Sequence, residues 1–333
     1  MYFEYESLSA KEKECYRQIA KKVKEASNVF TFYGITKNTI SKAFNAFLYD
    51  NPLAFWFSGA GKYNWTESNG IVKDITFVAE FEKGINAHNL RDTVSRFNRT
   101  VNSVVQKAKE KRTVYEQVLF VHNYIVDTTE YVQNAPQCHS AYGCLVNHRA
   151  VCSGYAKAFM IIMRKLGYDC GYVTGSDVEK NSIHSRHAWN YIKLGNDFYF
   201  IDVTWDDPTV EGAVTRFDNK SMDYFCITTD ELLLTHKLSK EHYVPYCRGT
   251  KYDYYRYNGY FINSYSYASF VAIAQKQLRL NSKKIDVKFS SASELNRAKH
   301  DLFDNNRIFN LVSSGNVTYL TGRNGLVLTI YVI

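Results

Sequence analysis

The stretch that decides the fold is Arg149–Phe159, with the sequence RAVCSGYAKAF. From Cys152 onward its apolar residues recur at helical spacing, which predicts a helix that begins at Cys152 and stops at Gly167. A thiol in the first turn of a helix lies beside unpaired backbone N–H groups and the positive end of the helix dipole. Both lower a thiol pKa, so the sequence predicts a nucleophilic thiolate at Cys152.

Two later segments supply the partners that a nucleophilic cysteine needs. The motifs HAWN (His187–Asn190) and FYFIDVTWDD (Phe198–Asp207) lie on strand-like runs at His187–Leu194 and Phe198–Trp205. Gly195-Asn196 between these runs predicts a two-residue hairpin turn. This turn puts His187 opposite Thr204, with Asp202 two places away on the same face. Diagonal neighbours are about 7–8 Å apart, so the two side chains can meet. We predict that His187 is the base and that Asp202 orients its imidazole.

In this order and spacing the three motifs resemble the transglutaminase-like core, in particular its bacterial branch with Cys-x-Gly-Tyr-Ala and Asp-x-Thr-Trp-x-Asp. The resemblance covers about Thr113 to Tyr246. It implies a papain-like α+β core, in which the nucleophile helix packs on an antiparallel sheet. It also implies a triad of Cys152 as nucleophile, His187 as base and Asp202 as orienter.

The reaction does not follow from the resemblance, because the superfamily includes protein crosslinkers, cysteine proteases, amidases and inactive binding domains. We expect a cysteine-dependent acyl-transfer enzyme that hydrolyses a peptide or amide bond through a Cys152 thioester, since water is the default acceptor. Two alternatives stay open: a non-catalytic scaffold that binds protein or cell-wall glycan or peptide, and a protein-crosslinking transglutaminase. The expected partners are a protein or peptide substrate and a cell-wall component.

Residues near the three motifs are candidates for substrate binding. Tyr142 is a candidate oxyanion donor from the loop before the nucleophile, and Tyr155 lies one helical turn beyond Cys152. Trp189 and Trp205 alternate with polar residues and are expected to wall the cleft, with core packing as the alternative. Gly154 is expected to let a substrate backbone approach closely.

No cofactor and no metal are expected. The spacing of Cys138-His139 and Cys144-x3-His148 matches no common zinc module. The sequence has no EF-hand-like loop, which argues against the calcium dependence of the animal transglutaminases.

Composition excludes several classes of protein. Across 333 residues the net charge is +8 and the basic residues are scattered, which argues against nucleic-acid binding. The longest uncharged stretch, Tyr257–Gln275, is interrupted by Asn and Ser, so no membrane span is expected. No signal peptide is visible, which leaves the cytoplasm or, with a removed signal, the cell surface or exterior. Seven cysteines without a Cys-x-x-Cys pair predict at least one unpaired thiol.

Three units are predicted along the chain: an N-terminal α+β extension at 1–112, the catalytic core at 113–250 and a small α+β unit at 251–333. Capping boxes at Ser9 and Thr113 predict helix starts. The stretch His242–Tyr267 contains nine tyrosines. We expect them to cover the core, with a glycan- or peptide-stacking surface as the alternative.

Overall fold

The computed structural model describes residues 3–69, 71–178, 186–207, 220–239, 244–280, 284–312 and 317–332. Within them the fold is α+β, and three main sheets follow one another along the chain. No helix of the described residues is long and apolar enough to cross a membrane.

The N-terminal unit combines three helices with a small antiparallel sheet of order β1-β3-β2. Its elements are α1 (Phe3–Ser7), α2 (Ala10–Lys24), β1 (Val29–Tyr33), α3 (Lys37–Asp50), β2 (Phe57–Ser68) and β3 (Ile71–Phe81). The predicted capping box of Ser9 and Glu12 begins α2. The core between helices and sheet is aromatic, and Phe44 packs edge-on against Phe77 with ring centroids 4.9 Å apart.

The helical layer of the central unit surrounds the helix that begins at Cys152. Its elements are α4 (Leu90–Lys109), α5 (Val114–Thr128), β4 (Glu130–Tyr131), α6 (Ala141–Leu145), β5 (Arg149–Ala150) and α7 (Cys152–Lys165). The apolar face of α4 joins the same hydrophobic core as α5 and α7. Burial thus ties α4, which the predicted division at residue 112 assigns to the N-terminal unit, to the central unit.

The central sheet is antiparallel throughout, in the order β10-β6-β7-β8-β9. Its strands are β6 (Cys170–Asp177), β7 (Arg186–Leu194), β8 (Asp197–Ile201), β9 (Phe225–Ile227) and β10 (His236–Leu238), and α8 (Thr229–Leu232) precedes β10. The amide of Asn190 joins sheet and helix, donating to the carbonyl oxygens of Ala156 in α7 (3.0 Å) and Gly171 in β6 (2.9 Å).

The hairpin between β7 and β8 has the predicted register, with Leu194 opposite Asp197 and Gly195 at φ 65° in the turn. Strand β8 ends at Ile201, four residues earlier than the sequence pattern indicates. The reason is the side chain of Asp202, whose Oδ1 accepts the backbone N–H groups of Thr204 (3.0 Å) and Trp205 (3.2 Å). This turn takes the chain out of the sheet.

The C-terminal unit is a small α+β layer, with sheet order β11-β12-β14-β13. Its elements are α9 (Tyr254–Asn258), β11 (Phe261–Ile262), α10 (Tyr267–Leu278), β12 (Lys284–Phe289), α11 (Ala292–Lys299), β13 (Val317–Thr321) and β14 (Val327–Val332). In the tyrosine-rich stretch, of which residues 242–243 lie outside the described residues, Tyr255 is buried and Tyr257 stacks on Tyr115 of α5 at 3.6 Å. These two tyrosines join the C-terminal unit to the core.

A buried ion cluster also joins these two units. The ammonium of Lys288 in β12 lies 2.7 Å from Asp253 and 3.1 Å from Glu231 of α8. Arg256 adds a second cation, 2.9 Å from Glu231. A buried charge is tolerated only when it is paired in this way.

We predict that Lys288→Met lowers the free energy of unfolding by on the order of 3 kcal/mol, because it leaves Asp253 buried with weaker compensation. Chemical denaturation followed by circular dichroism measures the loss. The control is Arg297→Met, which removes an exposed partner of Glu294 within one helix and should leave the midpoint close to that of the wild type. Equal midpoints for the two variants would contradict the structural role of Lys288.

Candidate active site

A cleft opens at the N-terminus of α7. Its main cavity has a volume of about 560 Å³ and contains Cys152 and His187 in its wall. A second cavity of about 440 Å³ adjoins it, and both are lined by Tyr49, His139 and Arg186. Tyr49 belongs to α3, so the N-terminal unit forms one wall of the cleft, which the sequence motifs do not indicate.

Cys152 is the first residue of α7 and differs from the other cysteines in exposure. It is partly exposed, whereas the other six are buried, and all seven are unpaired thiols. Burial raises the pKa of each of those six thiols, for Cys15 to about 12. Val151, which precedes Cys152, provides no side-chain cap for the helix. Within the described residues the N–H groups of Cys152 and Ser153 have no hydrogen-bond partner, so they are available to an oxyanion at the cleft.

Three side chains form a continuous chain of neighbours at the cleft. The sulfur of Cys152 lies near enough to the His187 imidazole to raise its pKa. Nε2 of His187 lies 2.5 Å from Oδ2 of Asp202. His187 is almost buried and Asp202 is fully buried, so water has little access to this chain. The structure thus brings together the three residues that the sequence motifs single out.

The electrostatics of this chain favour an imidazolium. Burial alone would lower the pKa of His187, but the carboxylate of Asp202 and the sulfur of Cys152 outweigh burial and raise it to about 10. Burial alone would raise the pKa of Asp202, but His187 and His236 hold it below its ordinary value. The pair is therefore charged across the neutral range, as a thiolate partner requires.

A second histidine, His236 in β10, binds the same carboxylate. Its Nε2 lies 3.1 Å from Oδ2 of Asp202 and its Nδ1 lies 2.9 Å from the hydroxyl of Thr235. Burial lowers the pKa of His236, so its ring is neutral and donates through Nε2 while Nδ1 accepts. Sequence reasoning missed this residue, because β10 is only three residues long and no motif surrounds it.

Two tryptophans hold the imidazole of His187 between them. Trp189 stacks on it at 5.5 Å and Trp205 at 5.2 Å between ring centroids. Trp189 is buried, so it packs beneath the histidine. Trp205 is partly exposed and its far face is covered by the guanidinium of Arg323, 4.6 Å from the ring centroid. Neither lines the cavity that contains Cys152; their contact with that site is through His187.

The two tyrosines proposed for substrate binding lie in the interior. Tyr142 stacks on Phe55 at 5.1 Å in the hydrophobic core, and Tyr155 is fully buried, donating to Asp207 at 2.7 Å. Gly154 is also explained by packing. A Cβ there would lie 2.6 Å from the carbonyl oxygen of Cys138, so the glycine lets α7 pack on the preceding loop.

The described residues contain one group of side chains close enough to ligate a metal: His187, Asp202 and His236. Both histidines direct Nε2 at the same oxygen of Asp202, at 2.5 and 3.1 Å. Tetrahedral ligands at ~2.0 Å from zinc would be about 3.3 Å apart. The 2.5 Å contact between His187 and Asp202 is shorter than this spacing, and the geometry fits a hydrogen-bond network better.

Comparison with known proteins identifies the class of this unit. Residues 99–203 match the family model of the transglutaminase-like superfamily. The match begins within α4 and covers α7, β7 and β8. The predicted transglutaminase-like core is confirmed for this part of the chain, and the α+β fold is consistent with the papain-like core that it implies. The search of curated proteins found no match.

Solved structures with distant similarity include a protein described as a TGase, at 14% identity and a TM-score of 0.29, covering 43% of this chain and 44% of that one. A protein from Cytophaga hutchinsonii, provisionally described as a cysteine protease, matches at 15% identity and a TM-score of 0.29, covering 44% of this chain and 62% of that one. Menin matches at 20% identity and a TM-score of 0.27, covering 35% and 27%. The chain thus spans less than two thirds of these proteins.

We predict that His236→Leu moves the acid limb of the pH profile of Cys152 alkylation upward by one to two pH units. The variant removes a hydrogen bond to a charged carboxylate, an interaction of ~1.5–3 kcal/mol, so Asp202 takes up a proton at higher pH. Alkylation with iodoacetamide, followed by peptide mass spectrometry, gives the rate at each pH. His236→Gln keeps an N–H donor, so its acid limb should be shifted less than that of His236→Leu. If both variants have the wild-type profile, His236 does not position Asp202.

Proposed function

We propose that this chain is a cysteine-dependent acyl-transfer enzyme that hydrolyses a peptide or amide bond through a thioester on Cys152. The observation that carries the proposal is the grouping of Cys152, at the uncapped start of α7, with His187 in the wall of an open cleft and with Asp202 hydrogen-bonded to His187. Nucleophile, base and orienter are the parts that such a reaction requires.

In the first half-reaction the Cys152 thiolate attacks the acyl carbon, and a C–S bond forms. The negative charge that develops on the carbonyl oxygen is stabilised by N–H groups in the first turn of α7. The C–N bond then breaks as the His187 imidazolium donates its proton to the leaving amine. Asp202 keeps Nε2 of His187 hydrogen-bonded throughout, so that Nδ1 faces the sulfur.

In the second half-reaction His187 is neutral and acts as the base. It takes a proton from water, and the hydroxide attacks the thioester carbon. The C–S bond breaks, the acid is released, and the proton on His187 restores the imidazolium–thiolate pair. A primary amine in place of water would give crosslinking. Product analysis in H₂¹⁸O with and without added amine distinguishes these acceptors.

We predict that Cys152→Ala abolishes turnover while the free energy of unfolding changes by no more than ~1–2 kcal/mol, because a small residue at a helix start is replaced by a smaller one. Hydrolysis of a mixed peptide pool, read by mass spectrometry, measures turnover. The matched control is Cys15→Ala, which removes a buried thiol in α2 of the N-terminal unit and should leave turnover unchanged. Hydrolysis by the Cys152→Ala protein would disprove the mechanism.

We predict that Asp202→Asn slows turnover by several orders of magnitude, as the corresponding change does in serine triads, by ~10⁴-fold. The amide removes the charge that raises the pKa of His187 and favours the wrong tautomer. Hydrolysis of the same peptide pool measures the rate of turnover. The pH dependence of Cys152 alkylation shows whether the imidazolium form of His187 has been lost. An unchanged rate of turnover would show that Asp202 has no role in the reaction.

A further inference from the structure

The cleft beside Cys152 contains a row of polar residues that the proposed mechanism does not use. Lys237 of β10 pairs with Ser176 of β6, and Ser176 pairs with Arg186 of β7. Adjacent strands are about 4.8 Å apart, so the two cationic residues stand about 10 Å apart with a small hydroxyl residue between them. All three line the 560 Å³ cavity that contains the nucleophile.

The row lies on the cleft face of the sheet. Alternation along β6 puts Ser176 on the same face as Thr174 and Tyr172, which also line this cavity. Tyr172 pairs with Asn190, whose amide donates to the backbone of α7, so this face is the one that meets the nucleophile helix. Arg186 and Cys152 line the same cavity. A group held by this row would therefore be in the cavity where Cys152 attacks the acyl carbon.

These two cations lack the partners that other cations of the fold have. Among the described residues, neither Arg186 nor Lys237 takes part in an ion pair, whereas Lys288 and Arg256 are both paired with carboxylates. Both side chains are exposed to the cleft. The guanidinium of Arg186 and the ammonium of Lys237, on either side of the Ser176 hydroxyl, are hydrogen-bond donors of the kind that bind a carboxylate.

In the rest of the cleft one cation and one carboxylate offset each other. Lys157 lines the adjoining 440 Å³ cavity, where its ammonium donates to the carbonyl oxygen of His139 at 3.0 Å. Among the described residues that line the two cavities, Glu82 is the single carboxylate. Arg186 and Lys237 therefore give the described part of the cleft an excess of positive charge, which attracts anionic ligands.

We propose that Arg186, Ser176 and Lys237 form a carboxylate subsite and that the acyl donor is an acidic peptide, with its carboxylate within one or two residues of the attacked carbonyl. This inference rests on the proposed function of Cys152 and adds the substrate class. The carboxylate is either an acidic side chain or a free chain terminus, since both offer the same two oxygens to the subsite.

The first test compares two alkylating reagents on Cys152, anionic iodoacetate and neutral iodoacetamide. We expect the ratio of their rates to fall about fivefold in Arg186→Gln and in Lys237→Gln, and further in the double variant. Lys193→Gln, which removes a cation from the far end of β7, is the matched control and should keep the wild-type ratio. Arg186→Lys should restore the ratio only in part, because it keeps the charge and loses the fork.

A normal rate with iodoacetamide and an unchanged ratio in the Gln variants would overturn the subsite and leave the proposed function standing. Failure of Cys152 to react faster than the buried thiols with either reagent would contradict the proposed function instead. Pairs of peptides that differ only by Glu or Gln then test an acidic side chain as the source of the carboxylate. Pairs that differ only by a C-terminal acid or amide test the free chain terminus. Equal hydrolysis within both kinds of pair would also overturn the proposal.

Discussion

The buried carboxylate of Asp202 is the constraint on which the rest of the site depends. One of its oxygens accepts the backbone N–H groups of Thr204 and Trp205, and the other accepts from His187 and His236. A carboxylate in a fully buried position remains charged only with such donors. The same group therefore ends β8, joins β7 to β10 through their histidines, and fixes the imidazole that faces the sulfur. The turn after β8, the contact between β7 and β10, and the position of the reactive histidine therefore all depend on Asp202.

All three units of the fold contribute residues near Asp202 or to the cleft beside it. Trp205 stacks on His187 and is covered on its other face by Arg323, which lies between β13 and β14 of the C-terminal unit. On the opposite side, Tyr49 of α3 lines both cavities. The terminal units therefore complete the site physically, although the transglutaminase-like match is confined to residues 99–203. Removing either unit would expose aromatic surface at the cleft.

Sequence reasoning worked where local rules decide the structure. The start of α7, the turn at Gly195 and the register of β7 with β8 follow from periodicity and turn chemistry, and these bring Cys152, His187 and Asp202 together. His236 was not predicted, because its contact with Asp202 spans 34 positions and depends on a three-residue strand. Tyr142 and Tyr155, predicted at the substrate site, lie in the interior for a related reason. An amphipathic ring suits a cleft or a core equally well, and only tertiary packing decides between them.

The buried charged residues of this site hold the reactive pair in place, whereas the exposed ones face the cleft. His187, Asp202 and His236 lie in the interior with their hydrogen bonds made within the fold, so replacing any of them disturbs both the fold and the reactive pair. Arg186 and Lys237 are exposed, and within the described residues they belong to no ion pair, so replacing them changes only what the cleft attracts. One reactive pair can therefore be combined with different exposed residues. In the proposed subsite, selectivity for substrate charge would therefore be set at positions that the folding of the core does not constrain.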